Sequence, residues 1–257
     1  MFELHFYAIF IFVLGLLFGS FFNVCIYRIP KEESIISPPS HCTKCNTRLK
    51  ALDLVPVFSY LFLGRKCRYC GEKISSRYAL VEVATALIFT ALYLKFGLTF
   101  EFFKFVVMCS FIIIIGLIDY DTTDVYAVTT WPGIICGLLF IGVGYFLDKP
   151  FMDGLYGGLL GGGVIGAIFL LTRGRGMGSG DIEICALAGL YLGLKSSIIM
   201  LFFSFVIGGI VGIILMITRE KSGKDAIPFG PYIALGALVA VFFGEQIFRW
   251  YTSFLIG

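Results

Sequence analysis

The chain has 257 residues, 58% of them hydrophobic and only 14% charged, with a mean hydropathy of +0.93 and a formal charge of +3. A soluble domain is about a quarter charged, so this composition excludes a soluble enzyme, a disordered chain and a secreted disulfide scaffold. The 31 glycines and 28 phenylalanines suit helices packed in a bilayer.

A membrane-crossing helix needs about 20 mainly apolar residues. Windows of this kind predict eight spans, at 6–26, 78–96, 102–118, 128–147, 154–172, 182–194, 196–217 and 229–243. The window at 182–194 is short and almost continuous with the next, which leaves a tightly turned pair or a re-entrant segment open. Backbone groups must be satisfied within lipid, so each window is a helix. The alternation of a β-barrel is absent. The first window lacks a basic stretch before it and a small-residue cleavage site after it, and so reads as an anchor, not a signal peptide.

Ten of the twenty Lys and Arg residues fall between Arg28 and Arg77. If that loop is cytoplasmic, eight spans bring Arg173, Arg175, Arg219, Lys221 and Lys224 to the same side, leaving Lys95, Lys104, Lys149, Lys195 and Arg249 opposite. Fifteen against five places both termini outside and the long loop in the cytoplasm. Topology and anionic lipid account for the basic character without nucleic acid.

The loop carries Cys42-Thr-Lys-Cys45 and Cys67-Arg-Tyr-Cys70, separated by 21 residues. Each pair offers two thiolates from a tight knuckle, and four sulfurs close a structural zinc tetrahedron with no open position for catalysis. Gly71 relieves the turn after the second ligand. Disulfides or free thiols are the bland readings; a cytoplasmic location disfavours the first. His41 is a bystander, and Cys25, Cys109, Cys136 and Cys185 read as small apolar side chains. The fold class expected is an all-α polytopic membrane protein of about eight transmembrane helices. It divides into a first helix (1–27), a small zinc-ribbon-like cytoplasmic domain (28–77) and a seven-helix core (78–257).

Ionisable residues in spans are functional hypotheses by default. Glu82 is an interfacial carboxylate paired with Arg77 or a loop Lys, or a site residue. Asp119, Asp121 and Asp124 follow the third span, and Asp181 opens the sixth within Gly176-Met-Gly178-Ser-Gly180-Asp181. Taken singly, Asp181 reads as an N-cap and Asp119 as a solvated charge. Both nevertheless lie at the same depth on the same side, where they can meet. Paired aspartates hydrolyse peptides without metal or cofactor, one activating water and the other donating a proton. The helix dipole favours the anion on Asp181, at a helix start, over Asp119, at a helix end. Gly178 and Gly180 allow a substrate strand to approach the backbone.

Gly19-Ser-Phe-Phe-Asn23-Val-Cys-Ile-Tyr-Arg28-Ile-Pro30, the two CxxC pairs, Arg77-Tyr-Ala-Leu-Val-Glu82, Leu117-Ile-Asp119, Gly176-Met-Gly178-Ser-Gly180-Asp181 and Ile227-Pro-Phe-Gly-Pro231 together resemble the type IV prepilin peptidases. The resemblance runs nearly the whole chain in order. It implies a GxGD-type aspartyl protease of the bacterial inner membrane. Such an enzyme removes the basic leader of type IV prepilins and type II secretion pseudopilins at the cytoplasmic face, then methylates the new N-terminus with S-adenosylmethionine. It also implies that Asp119 and Asp181 are the catalytic pair, with Asp121 the rival for the first role, and that Cys42, Cys45, Cys67 and Cys70 hold zinc. Glu82 and Asn23 are the candidates for the methyl-donor site. The chain departs from the family pattern at Val125-Tyr126-Ala127, where Leu-Pro-Asp is usual, and at Glu183, where Lys is common.

Seven glycines between Gly154 and Gly166, and Gly208 with Gly212, form GxxxG patterns, read as tight helix packing with a mobile lateral gate as the second reading. Competing functions are a metal-ion transporter with a cysteine-rich cytoplasmic sensor loop, a noncatalytic assembly factor of a secretion machine, and another GxGD protease.

Overall fold

A computed structural model describes residues 2–218 and 227–256. Arg219, Lys221 and Lys224, counted in the charge balance, lie outside the described residues. Among the described residues there are nine α-helices and no sheet: α1 (Phe2–Arg28), α2 (Phe58–Phe62), α3 (Ser76–Phe96), α4 (Phe100–Thr122), α5 (Ala127–Phe146), α6 (Phe151–Thr172), α7 (Ser179–Leu192), α8 (Leu194–Ile217) and α9 (Gly230–Ile256). The chain forms two compact units, Met1–Phe102 and Phe103–Gly257.

In the first unit α1 and α3 lie antiparallel, Gly15 facing Ala86 and Gly19 facing Glu82. They approach closely because Gly15 and Gly19, four residues apart on one face of α1, present no side chain. A Cβ on Gly15 would stand 2.5 Å from the Ala86 Cα, and one on Gly19 2.6 Å from the Glu82 Cα. Phe18, Phe22 and Phe89 fill the seam beside them, with ring centroids 6.0–6.5 Å apart. Ser75 starts α3 by accepting from the Arg77 N–H at 3.3 Å, and Gly97, at φ 64°, ends it.

In the second unit α6 and α7 meet backbone to backbone. Side chains on Gly157 and Gly161 would collide with the carbonyl oxygens of Gly189 and Cys185. The packing reading of the glycine run therefore holds for these positions. It does not extend to Gly163, which has nothing within 4 Å. Gly208 packs against Tyr232 and Phe229 at the start of α9.

Seven of the eight sequence windows become helices long and apolar enough to cross a membrane. The exception is α7, whose 14 residues rise about 21 Å at 1.5 Å each, short of the roughly 30 Å hydrocarbon core. It forms a tightly turned pair with α8: the only break is Gly193, at φ 78°, and α8 begins at Leu194. Although short, α7 runs antiparallel to α6 from Ile182 beside Gly166 to Gly193 against Asp153, whose carboxylate also accepts from the Leu194 N–H at 3.1 Å. It thus connects opposite ends of the unit, and α8 sets off from the same end as α6.

Candidate active site

Asp119 lies in the last turn of α4, 4% exposed, and Asp181 in the first turn of α7, 7% exposed. Each carboxylate takes one backbone N–H from a glycine. Gly230, the first residue of α9, donates to Asp119 Oδ2 at 2.7 Å, and Gly178 donates to Asp181 Oδ2 at 3.0 Å. Val125, six residues after Asp119, lies against Gly180, next to Asp181, so the end of α4 and the start of α7 stand side by side. Asp121, two residues on and thus on another face of α4, is exposed. The structure therefore brings Asp119 and Asp181 together at one end of the second unit and leaves Asp121 at the surface.

The glycines beside them differ in what they do. Gly180 is covered by Val125, which would overlap any side chain there, so the segment after α4 packs on the start of α7. Gly178 has room around it, and its part is the N–H offered to Asp181. Glu183, the charge that departs from the family pattern, accepts a hydrogen bond from the hydroxyl of fully buried Thr130 on α5. The Gly230 donor is the residue that sequence reasoning missed. Its motif was visible, but its role depends on a contact across 111 residues.

In the first unit Cys42, Cys45, Cys67 and Cys70 converge, with all four sulfurs within 4.8 Å of one another. The knuckles match: Cys42 N–H bonds the Thr47 carbonyl and Cys67 N–H the Glu72 carbonyl, while Asn46 and Gly71 take φ 54° and 73° just after the second cysteine of each pair. These are the two residue types that best tolerate that region. Zn–S bonds of about 2.3 Å give a tetrahedron with edges of about 3.8 Å, and Cys42 Sγ stands 3.8 Å from Cys70 Sγ. The donor set and spacing fit a closed structural zinc site. The Thr47 side chain and N–H hold the Cys45 thiol down to about 6. His41 stays outside the cluster, its Nδ1–H donating to the Pro39 carbonyl at 3.1 Å.

Glu82 and Asn23 are both 8% exposed. Glu82 Oε2 accepts from the Val57 N–H at 2.7 Å, and the Asn23 amide donates to the Tyr78 carbonyl at 3.0 Å.

The comparisons with known proteins agree with one another. The Bacterial Peptidase A24 N-terminal domain matches residues 13–96, and the Type IV leader peptidase family matches residues 106–213. The chain is 35% identical to the prepilin leader peptidase/N-methyltransferase of Bacillus subtilis, over 96% of this chain and 98% of that protein. This chain belongs to the type IV leader peptidase family. Proteins of the same name from Pseudomonas putida (33% identity, 92% of this chain and 90% of the relative) and Pseudomonas aeruginosa (31%, 94% and 92%) are similar over almost as much. No solved structure matches it. Membership in a peptidase family displaces the metal-ion transporter reading. The two family models fall one on each compact unit, with the cysteine cluster in the first and the aspartates in the second.

Proposed function

We propose that this family member is an aspartyl endopeptidase that removes the basic leader of type IV prepilins and pseudopilins at the cytoplasmic face of the bacterial inner membrane, and then methylates the new N-terminus. The observation that carries the reading is the buried Asp119 and Asp181 pair, each fixed by a glycine N–H. One carboxylate, ionised, takes a proton from water as the oxygen adds to the scissile carbonyl. The other, protonated, gives its proton to that carbonyl oxygen; in the collapse of the diol the first carboxyl hands the water proton to the leaving amine while the second takes its proton back from the diol. The N-terminal position of Asp181 in α7 suits the ionised role, because the helix dipole there favours an anion. Asp119, at the end of α4, takes the proton-carrying role. Gly178 and Gly230 fix the two carboxyls and so reduce the motion needed to reach the reactive geometry. The chemistry needs no metal.

The four cysteines would hold a structural zinc that keeps the two knuckles together. S-adenosylmethionine would supply the methyl group. The excess of Lys and Arg around the cysteine loop and after α6 supports a cytoplasmic setting for both units' polar ends.

The test is incubation of the detergent-solubilised protein with a prepilin, followed by mass analysis of the product. Cleavage after the leader with a product carrying an extra methyl group is expected. Zinc analysis should return about one metal per chain, and replacing Cys42 or Cys67 by Ser should release it. A cleaved product with an unmodified N-terminus would remove the methylation claim and leave the peptidase standing.

A further inference from the structure

The first unit contains a cavity of about 430 Å3 between α1, α3 and the cysteine loop, within the roughly 300–1,000 Å3 of small-molecule sites. Asn23 and Glu82 both line it. Glu82 is an acidic group almost sealed from water, and the partners that hold it, the Val57 N–H and the Ser20 hydroxyl, are neutral. Arg28, Arg68 and Lys73 also line the cavity, but Arg28 is turned to the Ser34 and Pro38 carbonyls and Arg68 to Asp53; a buried carboxylate held only by neutral donors is costly and favours a cationic ligand. The loop is bent to reach it: Val57, a β-branched residue, adopts φ 63° while donating to Glu82. Strained backbone of this kind clusters at ligand clamps. Arg28, 5% exposed, pins the other flank by donating to the carbonyls of Ser34 and Pro38 at 2.8 and 2.7 Å. Tyr27, Tyr60 and Tyr78 add aromatic rings to the wall; Lys31 lies over the Tyr27 ring at 3.6 Å and Arg65 over the Tyr60 ring at 6.0 Å, which leaves Tyr78 as the main surface to attract a cation or stack on a purine.

We infer that this cavity is the binding site for S-adenosylmethionine, with Glu82 as the countercharge to the donor's sulfonium and Tyr78 as its main aromatic surface. The inference rests on the methylation reading given above. The fit is one of charge, size and surface: a compact cation with a purine meets a sealed carboxylate beside an aromatic ring. Transfer moves the methyl from sulfur to the substrate's amine nitrogen. The C–S bond breaks as the N–C bond forms, the sulfur keeps the electron pair, and the nitrogen loses one proton. Cys42 and Cys67 also line the cavity, so the zinc knuckles form part of its wall.

Two measurements on the full-length protein in detergent test the inference. Photolabelling with an azidoadenine analogue of S-adenosylmethionine, followed by peptide mapping, is expected to mark segments 20–28, 54–63 or 74–82, with unlabelled S-adenosylmethionine suppressing the label. Label found only beyond residue 102 would overturn it. So would label in the first unit displaced by a basic leader peptide but not by S-adenosylmethionine, since the cavity would then hold the substrate. In calorimetry, Glu82→Gln is expected to weaken S-adenosylmethionine at least about tenfold, and to weaken S-adenosylhomocysteine, whose sulfur is neutral, clearly less. Unchanged affinity, or equal loss for both, would overturn the countercharge assignment. If the wild type methylates its product while the label maps elsewhere, only the cavity assignment fails; if it neither methylates nor takes up label, the methylation reading fails with it.

Discussion

The candidate active-site residues depend on glycines for their position. The motif around Asp181 was legible because its glycines adjoin it in sequence. Gly230 was not, since Ile227-Pro-Phe-Gly-Pro231 reads locally as nothing more than the start of a helix. A Cβ on Gly230 would stand 2.7 Å from Asp119 Oδ2. Gly230→Ala should therefore displace that carboxyl and lower kcat for prepilin cleavage by about 10²-fold, the scale of a misplacement near 1 Å, with Tm nearly unchanged. A kcat close to wild type would show that Asp119 does not need this donor. In the cysteine loop, desolvation works to raise the Asp53 carboxyl, but Arg68 at 2.6 Å, the Lys50 N–H and the Tyr69 hydroxyl outweigh it and hold it below its ordinary value. A depressed folded-state value contributes stability above the unfolded pKa of about 3.9 and loses it as pH falls through the folded value. The Tm advantage of wild type over Asp53→Asn should be present at pH 7 and should close below about pH 4. With the Arg68 partner half exposed to solvent, the effect is at most about 1 kcal/mol.

At the scale of elements, hydropathy located every long helix, because a 20-residue apolar run has few alternatives in lipid. It could not choose between a re-entrant segment and a turned pair at α7. That choice depends on Gly193, whose positive φ lets α8 begin one residue after α7 ends. The glycine run of α6 was legible as a packing surface, while the facing positions were not, since several GxxxG registers overlap. A matched pair of variants tests the register. Gly161→Ala should destabilise the protein by about 1–3 kcal/mol, because its methyl meets backbone that cannot move aside. Gly163→Ala, opening onto space, should be neutral or slightly stabilising. Equal Tm values for the two would contradict the α6–α7 register.

At the scale of the whole molecule, the proposed orientation depends on whether α7 counts as a pass. The second unit runs α7 end to end despite its length, which keeps Asp119, Asp181 and the start of α9 at one end. Alkaline phosphatase fused after Lys149 or Lys195 should be active, and after Arg175 inactive. Inactivity after Lys195 would mean that α7 does not cross. The cysteine knuckles were readable from spacing alone, because a tetrahedral site fixes its ligands locally. The cavity of the first unit was not, since Asn23, Val57 and Glu82 meet only after α1, the loop and α3 have folded together. The central claim is that Asp119 and Asp181 hydrolyse the prepilin. Single-turnover cleavage by Asp119→Asn, Asp121→Asn and Asp181→Asn tests it most directly. Loss of about 10²–10⁴-fold or more in the first and third, with the second near wild type, is the predicted result; full activity of either Asp119→Asn or Asp181→Asn would contradict it.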